Sequence, residues 1–324
     1  MFEFDLSDPE ELYSKASHTL SAFLLGMCFK KLVKKETMRI LGEKAHRFEY
    51  PWFLCCLYHD TYSVFEKKHK TTPCSLEEMI KEMDIEYEIY KTDNAVFSGL
   101  KEWPITYKRD TVERYYDERL KRGSVDHGIL SGFYGFDRLV KNYIEARKKD
   151  GDFRDWFTTP PDAHDSDSYK LIWNREQISV FALAADAIIA HNIWHLPNID
   201  IPEVRRDDYN PEEKKLSIKE TPLAYFLSLI DTIEPIKYFT SDAFRDKYGI
   251  KYTDGDILSG FNMSLFNNEI VIIGNIDFQQ FKDWYDDKIK DIGNWLEGTE
   301  EDDQELENKI IRIKLPSKDL ETEI

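Results

Sequence analysis

The sequence predicts a mostly α-helical domain over residues 1–240, followed by a small α+β unit over 241–324 with strand, strand, helix and strand in that order. Three observations predict it. Apolar residues recur at helical spacing, between capping and stop signals, through the first two thirds of the chain. From Phe261 two β-rich runs flank Asn267-Asn268, and a third closes the chain after an amphipathic segment. The composition, 33% charged and 41% hydrophobic, is that of a soluble globular protein with a core large enough for one large and one small domain.

Glu10 to about Lys35 places Ala22, Leu25, Phe29 and Leu32 on one face, and His18 lies four residues before Ala22 on the same stripe. A second helix is expected from about Tyr50 to Lys68, with Pro51 in its first turn and the basic run Lys67-Lys68-His69-Lys70 at its C-terminal end. Ser75-Leu76-Glu77-Glu78 has the pattern of a capping box and opens a short acidic helix to about Tyr90. Asp110 is the expected cap of a helix over 112–122 that Gly123 stops, and Ser124 starts the next, to about Lys149.

Residues 151–168 read as a polar loop around Pro160-Pro161, and 175–195 as the most apolar helix. A polar excursion follows over 196–219. Thr221-Pro222 begins a short helix ending near Ile233 and closed by Pro235. Beyond it come a hairpin over 261–273, an amphipathic helix over 278–296, an acidic loop over 297–307 and a last strand over 309–315.

The formal net charge of −18 argues against a duplex nucleic-acid binder, which needs Lys and Arg clusters, but is compatible with a small phosphorylated substrate. No apolar run approaches the ~18–20 residues that span a bilayer. The acidic N-terminal residues are unlike the basic start of a signal peptide. Four cysteines without a framework spacing read as free thiols, and the adjacent Cys55-Cys56 as core packing. The expected location is the cytoplasm.

The functional signal lies in which polar residues occupy apolar faces. Five of the expected helices carry an imidazole, a carboxylate or both there: His18; His59 with Asp60; His127; His191; and Asp231. A carboxylate on a buried face needs a cation, hydrogen bonds or a raised pKa. Imidazole and carboxylate donors together suit zinc, manganese, iron or nickel better than calcium.

The order His18, His59-Asp60, His127, His191, Asp231 resembles the HD-domain metal-dependent phosphohydrolase superfamily. The contexts Asp126-His127-Gly128, Ala190-His191-Asn192 and Pro222-Leu223-Ala224 leading to Asp231 are similar to its bimetallic members. The resemblance covers about residues 10–240. It implies an HD-type helical domain and two divalent transition-metal ions held by His18, His59, Asp60, His127, His191 and Asp231. It also implies that Asp60, the bridging ligand, is catalytic and holds a metal-bridging hydroxide for attack on phosphorus. The substrate it implies is a phosphoester of a nucleotide or cyclic nucleotide. Thr61-Tyr62-Ser63 stands where many members carry a Gly-containing turn, often followed by Lys.

Other residues have two readings each. His195, four residues after His191, reads as a further ligand or substrate contact, or as a histidine at a helix C-terminus. Arg119, Lys121 and Arg122, like Arg205-Arg206 and Lys214-Lys215, would reach a substrate phosphate or are solvated charges. His46 competes with His18 as first ligand, His69 and His164 sit in polar segments, and Asp186 is a supporting or structural acid. Gly128, Ser131, Gly132 and Gly135 form a small-residue patch, for close helix packing or for substrate. Two alternatives to hydrolysis stay open: a di-iron oxygenase on the same ligand set, and a degenerate domain that senses a ligand or binds a partner.

Overall fold

The computed structural model describes residues 9–41, 47–63, 74–91, 97, 103, 105–123, 125–149, 177–193, 215–266, 268–290 and 292–316. In chain order its helices are α1 (Pro9–Phe29), α2 (Lys34–Leu41), α3 (Glu49–Tyr58), α4 (Leu76–Glu82), α5 (Arg109–Lys121), α6 (His127–Lys149), α7 (Gln177–Ala190), α8 (Pro222–Ile233), α9 (Ile236–Phe239), α10 (Asp242–Tyr248), α11 (Asp254–Gly260) and α12 (Phe278–Trp284). The strands are β1 (Phe261–Phe266), β2 (Glu269–Gly274), β3 (Glu300–Asp302) and β4 (Ile310–Lys314). The chain is thus mostly helical with a small C-terminal antiparallel sheet. Among the described residues no helix is long and apolar enough to cross a membrane. Two compact units form, one from residues 35–196 and one from residues 1–34 with 197–324.

In the 35–196 unit, α7 is buried at every position but Ser179 and packs on α6, with α3 against both. α3 contributes Trp52, Leu54, Cys55 and Cys56, all buried, so the two cysteines are core residues. The small residues of α6 set the spacing. A Cβ on Gly132 would lie 2.4 Å from Ile189 Cγ1, and one on Gly135 would lie 3.1 Å from Tyr58 Cδ1. Close packing therefore accounts for both glycines. Two buried carboxylates pin loops to this core. Asp186 accepts from Thr106 N at 2.9 Å and Thr106 Oγ1 at 2.5 Å. Asp137 accepts from Glu86 N at 2.8 Å and Tyr87 N at 3.0 Å. Asp186 is a structural acid.

In the other unit, α1 packs on α8 and α9. α8 begins with Pro222 at its first position, and α9 begins just after Pro235. The sheet has the order β1-β2-β4-β3, all antiparallel, and β1 pairs with β2 in the expected register, with Phe266 opposite Glu269 and Asn268 at φ 61°. Ile270, Ile272, Ile311 and Ile313 form its buried face. An aromatic cluster ties the sheet to the helices: Phe239 lies 5.1 Å from Phe244 and 5.3 Å from Phe261, and Phe261 lies 5.0 Å from Trp284.

Several element boundaries differ from the sequence reading. α3 stops at Tyr58, so His59 and Asp60 stand in the turn that follows rather than inside a helix. Asp110 sits in the first turn of α5, where its charge suits the helix dipole, and Lys108 holds the cap position. The expected helix over 278–296 breaks into α12, a π-helical turn over Tyr285–Ile289 and a 3-10 turn over Ile292–Asn294. The acidic loop contains a strand, β3. Its pairing explains why: Glu300 lies opposite Lys314 and Asp302 opposite Arg312, so acidic and basic residues face each other across the ladder.

Candidate metal centre

The 35–196 unit holds four of the six predicted ligands, and the element boundaries place them. α6 begins at His127 because Asp126, directly before it, caps the helix: its Oδ1 accepts the Ile129 amide at 2.9 Å. His191 follows the last residue of α7, with its amide bonded to Ala187 O at 3.0 Å. The turn after α3 is held at three points. Tyr62 N donates to Ser131 Oγ at 2.9 Å, Ser63 N donates to Asp60 O at 3.1 Å, and Ser63 Oγ to the same carbonyl at 2.7 Å. Thr61-Tyr62-Ser63 thus makes a fastened turn, and Ser131 of the small-residue patch is its anchor.

Asp60, His127 and His191 each offer one ligand atom, and the three atoms lie within 4.8 Å of one another. His127 Nε2 is 3.1 Å from Asp60 Oδ1, and His59 Nε2 is 3.8 Å from Asp60 Oδ2. The rings of His59 and His127 stand edge-on to that of His191, at 5.8 and 5.9 Å between centroids. The Asp60 side chain is 10% exposed and that of His59 is fully buried.

Two tautomers follow from the backbone. His59 Nδ1 lies 2.9 Å from Cys56 O, and His191 Nδ1 lies 2.6 Å from Ile188 O. A carbonyl can only accept, so Nδ1 carries the proton in both rings and the neutral imidazole presents its lone pair at Nε2. Metal-ligating histidines are oriented by hydrogen bonds of this kind.

No family model, curated protein or solved structure matches the chain. The donor set therefore has to speak for itself. A carboxylate and imidazoles, two of them with Nδ1 engaged by a backbone carbonyl, form a cluster that could hold a metal ion.

Sequence reading named Gly128 and Asn192 only as neighbours of the histidines and as part of a small-residue patch, and it missed Tyr115. Gly128 makes room for the cluster: a Cβ there would lie 2.7 Å from His191 Cε1 and 3.1 Å from Asn192 Nδ2. The Asn192 amide reaches His127 Nε2 at 3.1 Å, and Tyr115 Oη donates to Asn192 O at 2.5 Å. The signals present were small: a glycine beside His127 and an amide beside His191.

The other two predicted ligands, His18 and Asp231, come together in the second unit. His18 Nε2 is 3.1 Å from Asp231 Oδ1, and His18 Nδ1 donates to Glu234 Oε2 at 2.7 Å. Glu234 also accepts the amides of Ile236 and Lys237, at 3.1 and 3.3 Å. Lys237 Nζ stands 3.5 Å from Asp231 Oδ1. Burial pulls the His18 pKa down, but the hydrogen bonds to Asp231 and Glu234 outweigh it and raise the value from 6.5 to about 10. Glu234 was legible only as a carboxylate three residues after Asp231, on the same helix face.

Of the remaining candidates, Arg119 lies in the last turn of α5 and Arg122 is its exposed C-cap. His195, His46, His69, His164, Arg205-Arg206 and Lys214 lie outside the described residues, and Lys215 donates to Gly293 O at 2.8 Å.

Proposed function

We propose that the chain is a metal-dependent phosphohydrolase of HD type that cleaves a phosphoester of a nucleotide or cyclic nucleotide. The observation that carries the reading is the gathering of Asp60, His127 and His191 ligand atoms within 4.8 Å, with the His191 tautomer set by Ile188 O. His59, from the turn that bears Asp60, belongs to the same ligand set. His18 and Asp231 join it on the strength of residue order, which gives the two-metal composition.

When bound, such metals would supply an activated water at neutral pH and neutralise phosphate oxygens. The protein's part is to hold that arrangement still. Carbonyl oxygens fix two imidazoles, Ser131 fixes the turn bearing Asp60, and burial strengthens every charge interaction. The Asn192 amide, a hydrogen-bond donor held beside His127, is suited to a phosphate oxygen. Lys237 supplies a positive charge beside Asp231.

The test is metal analysis of protein purified without added metal or chelator, followed by a panel of phosphomonoesters and phosphodiesters with full metal occupancy. Two equivalents of manganese, zinc or nickel and turnover of a nucleotide ester are expected. An intact panel overturns the reading. Two equivalents of iron with substrate-dependent oxygen consumption would replace hydrolysis by oxygenation, and absence of metal would replace it by a binding module.

A further inference from the structure

The unit formed by residues 1–34 and 197–324 contains a cavity of about 710 Å³, a size that accommodates a small-molecule ligand. Asp231 and Lys237 line it, Tyr238 and Phe244 supply aromatic surface, and Asp283, Asp287 and Lys288 of the C-terminal segment complete the wall. The cavity therefore begins at a proposed metal ligand and runs to the C-terminal segment that the metal set does not use.

The wall is built by an unusual turn. After α12 the helix widens into the π turn Tyr285–Ile289, closed by Lys290 N to Tyr285 O at 2.9 Å. Such turns recur at functional sites, because an extra residue re-aims the side chains that follow. Each residue of an α-helix turns the side chain by about 100°, so inserting one redirects Asp287 and Lys288 relative to α12. Here the re-aimed residues line the cavity. Asp283 is fixed at both oxygens: Oδ2 accepts from the Lys247 ammonium and the Tyr248 hydroxyl, and Oδ1 accepts from Gln279 Nε2 at 2.9 Å. Lys288 Nζ lies 6.0 Å from the centre of the Tyr238 ring and 2.9 Å from Asp287 Oδ2.

The chemistry of the lining selects a ligand. Carboxylates outnumber lysines five to three, so the interior disfavours a polyphosphate and favours hydrogen-bond donors. The Tyr238 ring offers a stacking face. Positive charge beside Asp231 marks the end suited to a single phosphate.

We propose that this cavity binds the planar, amino-bearing base of the substrate, stacked on Tyr238, with its exocyclic amine donating to the carboxylates of the α12 and π-turn wall. It deepens the phosphohydrolase reading and rests on it for the position of the phosphate. The C-terminal segment thereby becomes the specificity wall of the enzyme.

The experiment is calorimetric titration of the full-length, chelator-treated protein with two matched pairs, adenosine against inosine and cytidine against uridine. Each pair exchanges an amino group for an oxo group. In at least one pair the amino-bearing nucleoside is expected to bind about tenfold tighter, the order of one hydrogen bond to a charged group. Asp287→Asn, at an exposed side chain, and Lys288→Ala should each weaken that binding several-fold, as should Tyr238→Ala if it folds. Equal binding within both pairs, no binding of any of the four, or binding indifferent to Asp287→Asn and Lys288→Ala overturns the assignment. Selective nucleoside binding in a protein that hydrolyses nothing would retain the cavity and remove the phosphohydrolase reading. Hydrolysis without selective binding would do the reverse.

Discussion

In the 35–196 unit, His59 and His191 each donate Nδ1–H to a backbone carbonyl, which leaves Nε2 of each ring as the atom that can ligate. In the unit of residues 1–34 and 197–324, His18 is bracketed by Asp231 and Glu234, and its pKa is raised to about 10. The first arrangement presents imidazole nitrogens and a carboxylate to a cation. In the second the hydrogen bonds to Asp231 and Glu234 favour a proton on His18, and Lys237 adds charge at Asp231. A metal binding to the first group meets two imidazoles already oriented by a backbone carbonyl at Nδ1. One binding to His18 has to release a proton, so its affinity should rise with pH. The same residue types thus prepare a ligand in one place and a salt bridge in the other, depending on whether the imidazole's second nitrogen meets a carbonyl or a carboxylate.

The comparison can be broken or sharpened by substitution, taking the largest effect first. Asp60→Ala should lower turnover by at least roughly 10³-fold, the order lost when a charged group at a reacting centre is removed. The chain should still fold, which circular dichroism checks beside the turnover assay. Persistent turnover would remove Asp60 from the chemistry.

Next is Glu234→Gln, which takes one partner from a buried ion pair and should cost the metal-free protein about 3 kcal/mol near neutral pH. Because the folded pKa of His18 lies above its ordinary 6.5, the stability from this pair is fully present below pH 6.5 and lost as pH rises through about 10. The gap in thermal midpoint between wild type and variant should therefore close toward pH 10. A gap that stays constant from pH 6 to 10.5 would show that His18 carries no extra charge.

Gly128→Ala places a methyl group 2.7 Å from His191 Cε1 and should weaken metal binding about 10–100-fold, the range seen when the support of a metal ligand is disturbed. Direct metal titration of the refolding-competent variant reads this, and unchanged affinity would mean that the His191 ring is not a ligand. The smallest effect belongs to Tyr115→Phe, which removes the hydrogen bond to Asn192 O and should cost about 1 kcal/mol of stability by chemical denaturation. A loss several times larger would give Tyr115 a role beyond holding Asn192.

How much was legible in the sequence depended on the range of the interaction. The capping box at Ser75 is local and forms in full, with Ser75 Oγ accepting the Glu78 amide and Glu78 bonding back. The Asn267-Asn268 hairpin is equally local. Apolar periodicity put His18 on the face of Ala22, and both are buried. Periodicity could not reveal that α3 ends at Tyr58, because the turn after it is fastened by Ser131, far along the chain. Nor could it pair His18 with Glu234, 216 residues away. The acidic segment over 297–307 reads as a loop because nothing local in it signals a strand. It forms β3 because β4 offers Arg312 and Lys314 in register.

One helix carries a warning for anyone who would make this protein sturdier. Replacing helical glycines by alanine is a standard stabilising change, gaining roughly 0.4–1 kcal/mol where the backbone is already helical and space allows. On α6 the three candidates are Gly128, Gly132 and Gly135, and each faces a different neighbour: the His191 ring, the Ile189 side chain and the Tyr58 ring. An automated consensus or alanine-scanning campaign would favour all three. It would widen the separation of α6 from the residues at the ends of α3 and α7, and the chain would be traded toward a tidier helix at the expense of the pocket of histidines that it carries.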